Sequence, residues 1–493
     1  MNRILFVSSE VFPLIKTGGL GDVAGSLPRA LYKNQQDVRI LLPAYREVLS
    51  KIKRSKPVAR LEYQGHSIRL LETTLPGSHI KTWLVDYPPA YDRPGNPYLD
   101  AKGKPWDDNA FRFALFSQIA VDIAMGRCKL KWQPDIVHCN DWQSGLVPAL
   151  LSDEAKRPAT VFTIHNLAYQ GLFPFSTFDE LKIAEKFRSY DALEYHGQLS
   201  FIKGGLNYAD RINTVSPTYA REIQQPEFGY GLDGLLRYRK DRLSGILNGI
   251  DTRVWNPGQD PYLLQNYNRR SLSKKPENKT QLQRQLKLPV DETIPMFAMV
   301  SRLVEQKGLE TILSSLDSVK DWPIQIVVLG TGEKKYEQAL KAWAKKHPKQ
   351  MAVIIGYDEQ LSHRIEAASD MYLMPSTFEP CGLNQLYSLR YGSLPVARNV
   401  GGLADTVTDT TKATIKNKTA NGFVVPDDSP KSLLTAMENA IAYYRQPAKW
   451  KQLQLNAMAQ DHSWQKSAEQ YTALYQQALQ DRLGQRVSKK KKV

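Results

Sequence analysis

The stretch Met371-Tyr372-Leu373-Met374-Pro375-Ser376-Thr377-Phe378-Glu379-Pro380-Cys381-Gly382-Leu383, followed by Asn384–Tyr391, decides the fold class. It predicts a short apolar strand at 371–374, a polar loop at 375–383 and a helix at 384–391. The same order recurs along the chain, and the apolar runs are rich in Val, Ile and Leu without alternation. This pattern is typical of strands buried on both faces, so it predicts an α/β fold with parallel sheets.

The strand candidates are too numerous for one open sheet, so we expect two sheets in two domains. The predicted strands are 4–7, 38–42, 83–85, 136–138, 160–164 and 212–215 in the first half, and 295–300, 324–329, 352–355, 371–374, 394–397 and 423–425 in the second. The best boundary lies at 245–260, where Asn248-Gly249 and Asn256-Pro257-Gly258 have turn chemistry. The two halves are therefore of similar length.

The net charge of the chain suggests an anionic partner but does not identify one. The 493 residues carry 66 Lys and Arg against 50 Asp and Glu, a formal charge of +16, and six of those charges lie in the last twelve residues. The rest are spread thinly, and no motif that enters a nucleic-acid groove is present, so a nucleic-acid function is disfavoured. We also expect no membrane span and no signal peptide, because the apolar runs are too short.

The three cysteines give no sign of a disulfide framework or a zinc site. Cys128, Cys139 and Cys381 show no C-x-x-C spacing, so a reducing compartment fits the sequence.

A glycine-rich loop, Lys16-Thr17-Gly18-Gly19-Leu20-Gly21-Asp22, follows the first strand. Its glycines allow a ligand to approach the backbone, and the helix that begins near Gly21 directs amide groups toward an anion. Lys16 adds a point charge for phosphate. The spacing departs from the dinucleotide pattern G-x-G-x-x-G, so a nicotinamide cofactor is disfavoured, and the alternative is a plain turn.

Arg302 and Lys307 follow the first strand of the second half, at the sheet edge where ligands bind in open α/β sheets. Two cations beside a helix start suit a diphosphate. The alternative is a surface ion-pair set with Glu305 or Glu310.

Glu379 lies in the loop quoted above, between Pro380 and the end of a strand. A carboxylate at this position can bind sugar hydroxyls or stabilise positive charge on a sugar ring. The amides of Gly382 and Leu383 can meet a phosphate. The alternative is a helix-capping acid in a rigid turn.

Polar side chains also follow two strands of the first half: His138 to Trp142, which includes Asp141, and then His165 and Asn166. They can converge on one cleft, although a structural histidine is the alternative for both His138 and His165. Metal ligation is disfavoured because the histidines have no partner at short spacing. The chain also has no D-x-D motif for a divalent ion on a nucleotide sugar.

Seven motifs together resemble one family, the bacterial glycogen synthases and plant starch synthases. The resemblance runs from Met1 to about Leu479, and its most specific part is the pair of motifs at 16–22 and 378–383. The motifs are Lys16-Thr-Gly-Gly-Leu-Gly-Asp22, His165-Asn166-Leu-Ala-Tyr-Gln-Gly171, Val215-Ser-Pro-Thr-Tyr219, Leu247-Asn-Gly-Ile-Asp251, Ser301-Arg-Leu303, Phe378-Glu-Pro-Cys-Gly-Leu383 and Gly401-Gly-Leu-Ala-Asp405.

The resemblance implies the GT-B architecture, in which two Rossmann-like domains with parallel sheets face each other across a deep cleft. It places the acceptor-glucan domain at 1–245, the nucleotide-sugar domain at 246–462 and a helix crossing back to the first domain at 463–481. The lysine-rich end at 482–493 has no counterpart in the family, and its composition predicts a basic, disordered tail. The two halves are then expected to close so that Lys16 and Arg302 act on one diphosphate, with 248–257 as the hinge.

The implied reaction is retaining transfer of glucose from ADP-glucose to the non-reducing end of an α-1,4-glucan. The implied catalytic residues are Glu379, His165, Arg302, Lys307 and Asp141. The implied nucleotide-sugar site comprises Lys16, Gly19, Asp22, Asn248, Arg302, Lys307, Tyr357, Cys381, Gly382 and Leu383, with Tyr98 and Asn166 on the acceptor side. No cofactor or metal is expected, nor a nucleic-acid or membrane partner. The expected location is the bacterial cytoplasm, or the plastid stroma for a mature plant-type form.

The chain departs from the family pattern at a few positions. Many members read H-x-H-D-W-H where this chain has His138-Cys-Asn-Asp-Trp-Gln143, so Asn140 and Gln143 are neutral replacements. Gly21 replaces a common Ala, and Asn384 stands where Thr is common. Two alternatives stay open: a related GT-B enzyme that uses UDP-glucose or another acceptor, and an inactive glucan-binding protein on the same fold.

Overall fold

The computed structural model describes residues 1–490, with side chains through residue 484. The chain forms two compact units: Met1–Gly249 together with the segment that begins at Trp464, and Ile250–Ser463. The division after Gly249 falls just beyond the boundary predicted at residue 245.

The first unit is built on a large mixed sheet with the strand order β12-β11-β7-β6-β1-β2-β5-β4-β3, accompanied by a small antiparallel sheet with the order β8-β10-β9. Its strands are Arg3–Val7 (β1), Asp37–Pro43 (β2), Lys56–Tyr63 (β3), His66–Thr74 (β4), Lys81–Asp86 (β5), Ile136–Asn140 (β6), Ala159–Ile164 (β7), Leu172–Pro174 (β8), Glu194–Tyr195 (β9), Gln198–Ser200 (β10), Arg211–Thr214 (β11) and Leu243–Gly245 (β12). Its helices before the unit boundary are Gly19–Lys33 (α1), Arg46–Lys51 (α2), Pro88–Tyr91 (α3), Asn109–Ala124 (α4), Leu146–Ser152 (α5), Thr177–Glu180 (α6), Phe201–Tyr208 (α7), Pro217–Glu222 (α8), Pro226–Gly229 (α9) and Asp233–Tyr238 (α10).

The centre of this sheet is parallel and fully buried, as the unbroken apolar runs predict. β1 pairs with β6, and β6 with β7, in parallel register. Every residue of β6 and β7 is buried. The carboxyl ends of these strands lie side by side, which positions the loops after Val7, Asn140 and Ile164 at one edge.

One side of the sheet in the first unit is antiparallel, which the sequence pattern did not predict. β3 and β4 form an antiparallel hairpin that pairs with β5. Gln64 and Gly65 at its tip have φ of 49° and 83°, the conformation of a tight hairpin turn. The hairpin was not predicted because its strands are only partly buried and carry charged residues, so the continuous apolar signal is missing. An antiparallel edge on a parallel sheet is common in large α/β domains.

The second unit contains a parallel sheet with the order β15-β14-β13-β16-β17-β18. Its strands are Met296–Val300 (β13), Gln325–Gly330 (β14), Met351–Ile355 (β15), Met371–Met374 (β16), Leu394–Arg398 (β17) and Phe423–Val425 (β18). Its helices are Lys275–Gln285 (α11), Leu309–Val319 (α12), Lys334–Lys346 (α13), Glu359–Ala368 (α14), Asn384–Tyr391 (α15), Gly401–Thr406 (α16), Lys412–Lys416 (α17), Pro430–Tyr444 (α18) and Pro447–Ala459 (α19). Apolar clusters cover both faces of this sheet.

The final helix, Trp464–Lys490 (α20), belongs to the first unit. Tyr471 and Tyr475 are fully buried there, and Asn213 Nδ2 donates to Tyr471 Oη at 2.9 Å. The helix continues past residue 481, where the sequence predicted its end and the start of a disordered tail. The last part of that predicted tail, 491–493, lies outside the described residues.

Two expectations from composition can be compared with the described part of the chain. None of its helices combines the length and apolar character needed to cross a membrane. Its three cysteines are buried, and no disulfide joins them.

Candidate active site

A cavity of about 170 Å³ opens at the carboxyl ends of two neighbouring strands in the second unit. β13 and β16 pair in parallel, so the loops that follow them leave the same edge of the sheet. Arg302 and Lys307 come from the chain after β13, and Glu379 comes from the loop after β16. All three line the cavity, together with Gly382 and Leu383. The structure thus brings together five of the residues that the sequence singled out.

Lys307 and Glu379 form a close ion pair inside this cavity. Lys307 Nζ lies 2.5 Å from Glu379 Oε2, and their side chains are only 17% and 8% exposed. Ser376 Oγ donates a second hydrogen bond to the same oxygen at 3.1 Å. A charge-assisted pair in a poorly solvated setting is strong and fixes both groups. The carboxylate is therefore held at one position against the cavity wall.

The predicted alternatives for these residues do not match the structure. Glu310 accepts hydrogen bonds from Lys335 and Tyr336, at 3.3 and 2.9 Å. Within the described residues, Lys307 pairs with Glu379, and no ion pair joins Arg302 to a carboxylate. Helix α15 has Leu383 at its N-cap without a side-chain cap, so Glu379 is not a capping acid.

Backbone contacts hold the Glu379 loop against the turn that carries Lys307. Thr377 N donates to Gln306 O at 2.9 Å, and Gln306 Nε2 donates to Phe378 O at 3.0 Å. Gly308 has a φ of 72°, and a Cβ there would lie 2.1 Å from the carbonyl oxygen of Pro375. Only glycine combines that conformation with so close an approach. The local sequence Lys307-Gly308 is therefore what allows the ion pair to form.

The start of α15 presents backbone amides to the cavity. The helix begins at Asn384, and Gly382, just before it, has a φ of 71°. Gln385 Nε2 fixes the turn by donating to the carbonyls of Cys381 and Gly382, at 2.9 and 3.1 Å. The N-terminal amides of a helix attract anions, so this wall favours a phosphate group.

Asn384, one of the departures from the family pattern, also has a defined position. Its Nδ2 donates to the carbonyl of Val300 and to Tyr372 Oη. It therefore ties the start of α15 to the end of β13.

Of the predicted nucleotide-sugar residues that lie in the second unit, two do not line this cavity. Tyr357 follows β15 and is 78% exposed, with its hydroxyl donating to Glu359 Oε2 at 3.0 Å. Cys381 is buried beneath the loop, where its carbonyl accepts from Gln385. The Cys381 side chain thus contributes to packing in this structure.

In the first unit, the glycine-rich loop is organised by a buried carboxylate that the sequence did not single out. Glu10 is 3% exposed and accepts hydrogen bonds from Thr17 N at 2.5 Å, Thr17 Oγ1 at 2.6 Å and Gly18 N at 3.3 Å. Tyr98 Oη also donates to Glu10 Oε1, the oxygen that accepts from Thr17 Oγ1, at 2.6 Å. Glu10 therefore fixes the loop that leads into α1. The one feature of the sequence that could have indicated a role for Glu10 was its position, three residues after a buried strand.

The remaining groups of this loop are those for which an anion-binding turn is predicted, and that role stays a prediction. Gly18 is the N-cap of α1 and has no side chain to cap the helix, and among the first amides Gly21 N donates to the carbonyl of Gly18 at 3.2 Å. Lys16 Nζ lies 2.7 Å from Asp22 Oδ2, and both side chains are partly exposed. The hydroxyl of Tyr98 is engaged by Glu10 and Ser9, so we assign it a supporting role in the loop.

Asp141 and His165 meet at the carboxyl ends of β6 and β7, as predicted. Asp141 Oδ1 accepts the backbone N–H of His165 at 2.7 Å. Burial raises the pKa of Asp141 to about 7, against the opposing effect of the backbone donors of His165 and Asn166. Asp141 also has a φ of 54° and a ψ of −178°, a strained backbone conformation for a residue other than glycine. Such strain is frequent at functional sites.

The tautomer of His165 follows from its neighbour Asn140. Asn140 Nδ2 donates to the carbonyl of Val7 at 3.0 Å, which directs its Oδ1 toward His165 Nε2 at 2.9 Å. His165 Nε2 must then carry the proton, and Nδ1 is left as an acceptor. Burial lowers the pKa of His165 to about 3, so the ring is neutral near pH 7. Asn166 Oδ1 accepts from Ala168 N at 3.0 Å and shapes the same loop.

His138 has a structural role, the alternative that the sequence left open. Its ring nitrogens lie 2.8 Å from Tyr475 Oη and 2.7 Å from Thr163 Oγ1, and burial lowers its pKa to about 3. It therefore fastens the final helix to the sheet.

Asn248, at the end of the first unit, is 7% exposed, and its Oδ1 has no hydrogen-bond partner within the described residues. A buried acceptor in that state favours a ligand that donates to it.

Comparisons with known proteins identify the family. Residues 3–238 match the family model described as the starch synthase catalytic domain, and residues 280–454 match glycosyl transferases group 1. The chain is 54% identical to glycogen synthase 1 of Methylococcus capsulatus, over 97% of each chain. It is 53% identical to the glycogen synthase of Cellvibrio japonicus, over 96% of this chain and 99% of the relative.

Solved structures agree. The catalytic domain of starch synthase IV from Arabidopsis thaliana, bound to ADP and acarbose, matches with a TM-score of 0.87 and 31% identity over 97% of this chain and 99% of that one. Sucrose-phosphate synthase from Thermosynechococcus elongatus, at 16% identity and a TM-score of 0.59, shows likeness of fold alone. The predicted GT-B fold class is confirmed. The chain belongs to the glycogen synthase and starch synthase family of glycosyltransferases.

Proposed function

We propose that this enzyme transfers glucose from ADP-glucose to the non-reducing end of an α-1,4-glucan, with retention of configuration and release of ADP. Relatives of about half identity are glycogen synthases, and a solved relative is bound to ADP and acarbose. These names support a nucleotide-sugar donor and a glucan acceptor. The bacterial origin of the relatives supports a bacterial cytoplasmic location as part of the proposal.

The observation that carries the proposal is the Lys307–Glu379 pair in a cavity that Arg302 and the start of α15 also line. The leaving group of a nucleotide sugar is a diphosphate, which gains negative charge as the glycosidic bond breaks. Lys307, Arg302 and the helix amides stand where they can stabilise that charge. One such preorganised donor is worth roughly 3–4 kcal/mol in the transition state.

Glu379 complements these cations. As the bond to the diphosphate breaks, the sugar ring becomes positively charged, and a fixed carboxylate nearby stabilises it. Its ion pair with Lys307 keeps it oriented before the substrate arrives. The cavity therefore has a group for each of the two charges that develop.

The protein does not need a general base for this reaction. In a same-face route the acceptor hydroxyl attacks on the side from which the diphosphate leaves, and a diphosphate oxygen takes the hydroxyl proton. We propose that His165, neutral at physiological pH, binds a sugar hydroxyl through its Nδ1 acceptor. We propose further that no metal is required, since Lys307 and Arg302 supply the positive charge.

A donor panel tests the proposal directly. The full chain is assayed with ADP-glucose and with UDP-glucose on a glycogen primer, and both nucleotide release and primer extension are measured. We expect kcat/KM at least tenfold higher for ADP-glucose, and we expect an exo-acting enzyme specific for α-1,4 linkages to remove all of the newly added glucose from the primer. Higher kcat/KM with UDP-glucose would show that the donor is wrong. Failure of both donors to extend the primer would show that the reaction is wrong.

A further inference from the structure

A second cavity in the second unit shares no lining residue with the cavity of Glu379. Its volume is about 570 Å³, and Arg269, Arg270 and Arg390 line it. Among the described residues in its wall, none carries a carboxylate. Three cations in one concave site without a counter-charge create a strong positive potential. The proposed glucosyl transfer makes no use of this site.

The arginines have little else to interact with. None of the three takes part in an ion pair within residues 1–484. The Nε atom of Arg390 is buried and has no hydrogen-bond partner among the described residues. A buried, unpaired donor on a charged group costs free energy that a ligand acceptor would recover.

The two asparagine side chains of the wall also offer the cavity hydrogen-bond donors. Asn256 Oδ1 accepts from Gly258 N at 3.1 Å. Asn268 Oδ1 accepts from Arg270 N at 2.9 Å and from Ser271 N at 3.2 Å. Because both amide oxygens are engaged within their own loops, the Nδ2 groups are what these side chains have left to offer. The site therefore favours a ligand that only accepts hydrogen bonds.

The cavity is held in shape by a buried anchor. Tyr267, which is 1% exposed, donates its N–H to Pro257 O at 2.9 Å and its hydroxyl to Tyr391 O at 2.7 Å. These bonds join three parts of the wall: the turn at 256–258, the loop that carries Arg269 and Arg270, and the end of α15 with Arg390. The fold therefore positions the three arginines around the cavity before any ligand binds.

We infer that this cavity binds a small phosphate ester with an organic body of about monosaccharide size. Guanidinium groups match phosphate oxygens through paired, parallel hydrogen bonds. A volume of about 570 Å³ is within the range of small-molecule sites and exceeds what a phosphate ion alone would fill. Leu455 and Met458 supply an apolar wall for the organic body. The inference does not rest on the proposed function.

Calorimetric titration of the full chain tests the inference, with glucose 6-phosphate as the probe and with glucose and inorganic phosphate for comparison. Saturating ADP is present so that the probe does not report on the Glu379 cavity. The test variant is Arg269→Gln with Arg270→Gln, and we expect the fold to survive because both side chains are exposed. Its matched control is Arg284→Gln with Arg445→Gln, an equal loss of charge at two exposed arginines outside the cavity.

We expect one molecule of glucose 6-phosphate to bind per chain, more tightly than inorganic phosphate, while glucose does not bind. The Kd should rise about tenfold or more in the Arg269/Arg270 variant, on the scale of lost charge-assisted hydrogen bonds, and stay unchanged in the control. Arg390→Lys should also weaken binding, because it keeps the charge and removes the paired donors. Absence of binding, equal binding of glucose, or equal Kd values in the variant and its control would overturn the inference. Loss of binding in Lys307→Gln alone would assign the probe to the other cavity and would overturn it as well.

Discussion

Replacement of Glu379 by Gln separates charge from shape at the proposed active site. Gln Oε1 can still accept the hydrogen bonds that Lys307 Nζ and Ser376 Oγ make to the carboxylate, at 2.5 and 3.1 Å. The substitution thus removes one negative charge with little change in volume. If that charge stabilises the sugar ring in the transition state, kcat should fall by about 10²–10³, or roughly 3–4 kcal/mol.

Removal of Lys307 instead would be harder to interpret. The side chain of Glu379 is only 8% exposed, so Lys307→Met would leave a nearly buried carboxylate without its cation. That change costs about 3–5 kcal/mol of stability, and lost activity could then reflect unfolding. The Gln variant avoids this, because its partners remain satisfied.

The assay measures ADP release at saturating ADP-glucose and primer, and the thermal unfolding midpoint of each variant is measured alongside. Glu305→Gln, an exposed acid outside the cavity, is the matched control and should keep the kcat of the unmodified enzyme. A Glu379→Gln enzyme with unchanged kcat would refute the role of the carboxylate. A fall in kcat that accompanies a collapse of the midpoint would refute the claim that the Gln side chain preserves the pair.

Further predictions concern the cations, the metal, the buried acid and the tight turn. Arg302→Ala should lower kcat/KM about 10²-fold with an unchanged unfolding midpoint, because the exposed side chain pairs with no described carboxylate; full activity would rule out a role at the diphosphate. EDTA should leave the glucosyl-transfer activity intact. Loss of that activity on addition of EDTA would contradict the metal-free proposal. The pKa of Asp141 is raised from 3.8 to about 7, so its contribution to stability is present at low pH and is lost as the pH rises through about 7, by at most roughly 4 kcal/mol. Asp141→Asn should remove this pH-dependent loss of stability. The unfolding midpoints of the unmodified enzyme and the variant are measured from pH 5 to 8, and equal pH profiles would disprove the prediction. Gly308→Ala should destabilise the second unit by about 1–3 kcal/mol, measured by chemical denaturation, since its φ of 72° and the nearby Pro375 carbonyl exclude a side chain; an unchanged stability would contradict this.

The sequence predicted those parts of the fold whose signal is local. The strand at 371–374 and the helix at 384–391 have the predicted bounds, because a short apolar run and a glycine-bounded helix are encoded by adjacent residues. The hairpin at 56–74 was not predicted. Its strands are partly exposed and belong to an edge of the sheet, so their stability comes from pairing with β5 rather than from a continuous apolar run.

At the candidate site too, the sequence did not predict contacts between residues that are far apart in the chain. Sequence chemistry singled out both Lys307 and Glu379, yet the alternative partners it considered for the cation were the nearby acids Glu305 and Glu310. The actual partner is 72 residues away in sequence. It is reached because β13 and β16 are neighbours in the sheet, which is a property of topology.

Glu10 was missed for a related reason. A single acid after a strand resembles any surface carboxylate, and nothing local marks it as buried. The donors that satisfy it come from Thr17, Gly18 and Tyr98, and Tyr98 lies 88 residues away in the chain. Only the folded chain shows that the loop after the first strand is built around this carboxylate.

The neutral replacement at Asn140 is explained by the same kind of contact. Its Nδ2 donates to the Val7 carbonyl and its Oδ1 accepts from His165 Nε2, so this amide fixes the histidine tautomer. The amide places no negative charge beside the ring, and burial lowers the pKa of His165 to about 3, so the ring is neutral. A neutral His165 can orient a sugar hydroxyl but cannot donate a proton to a leaving group near pH 7. The proposed function therefore assigns sugar binding to His165 in the first unit, and it assigns the charges that the reaction requires to Lys307, Arg302 and Glu379.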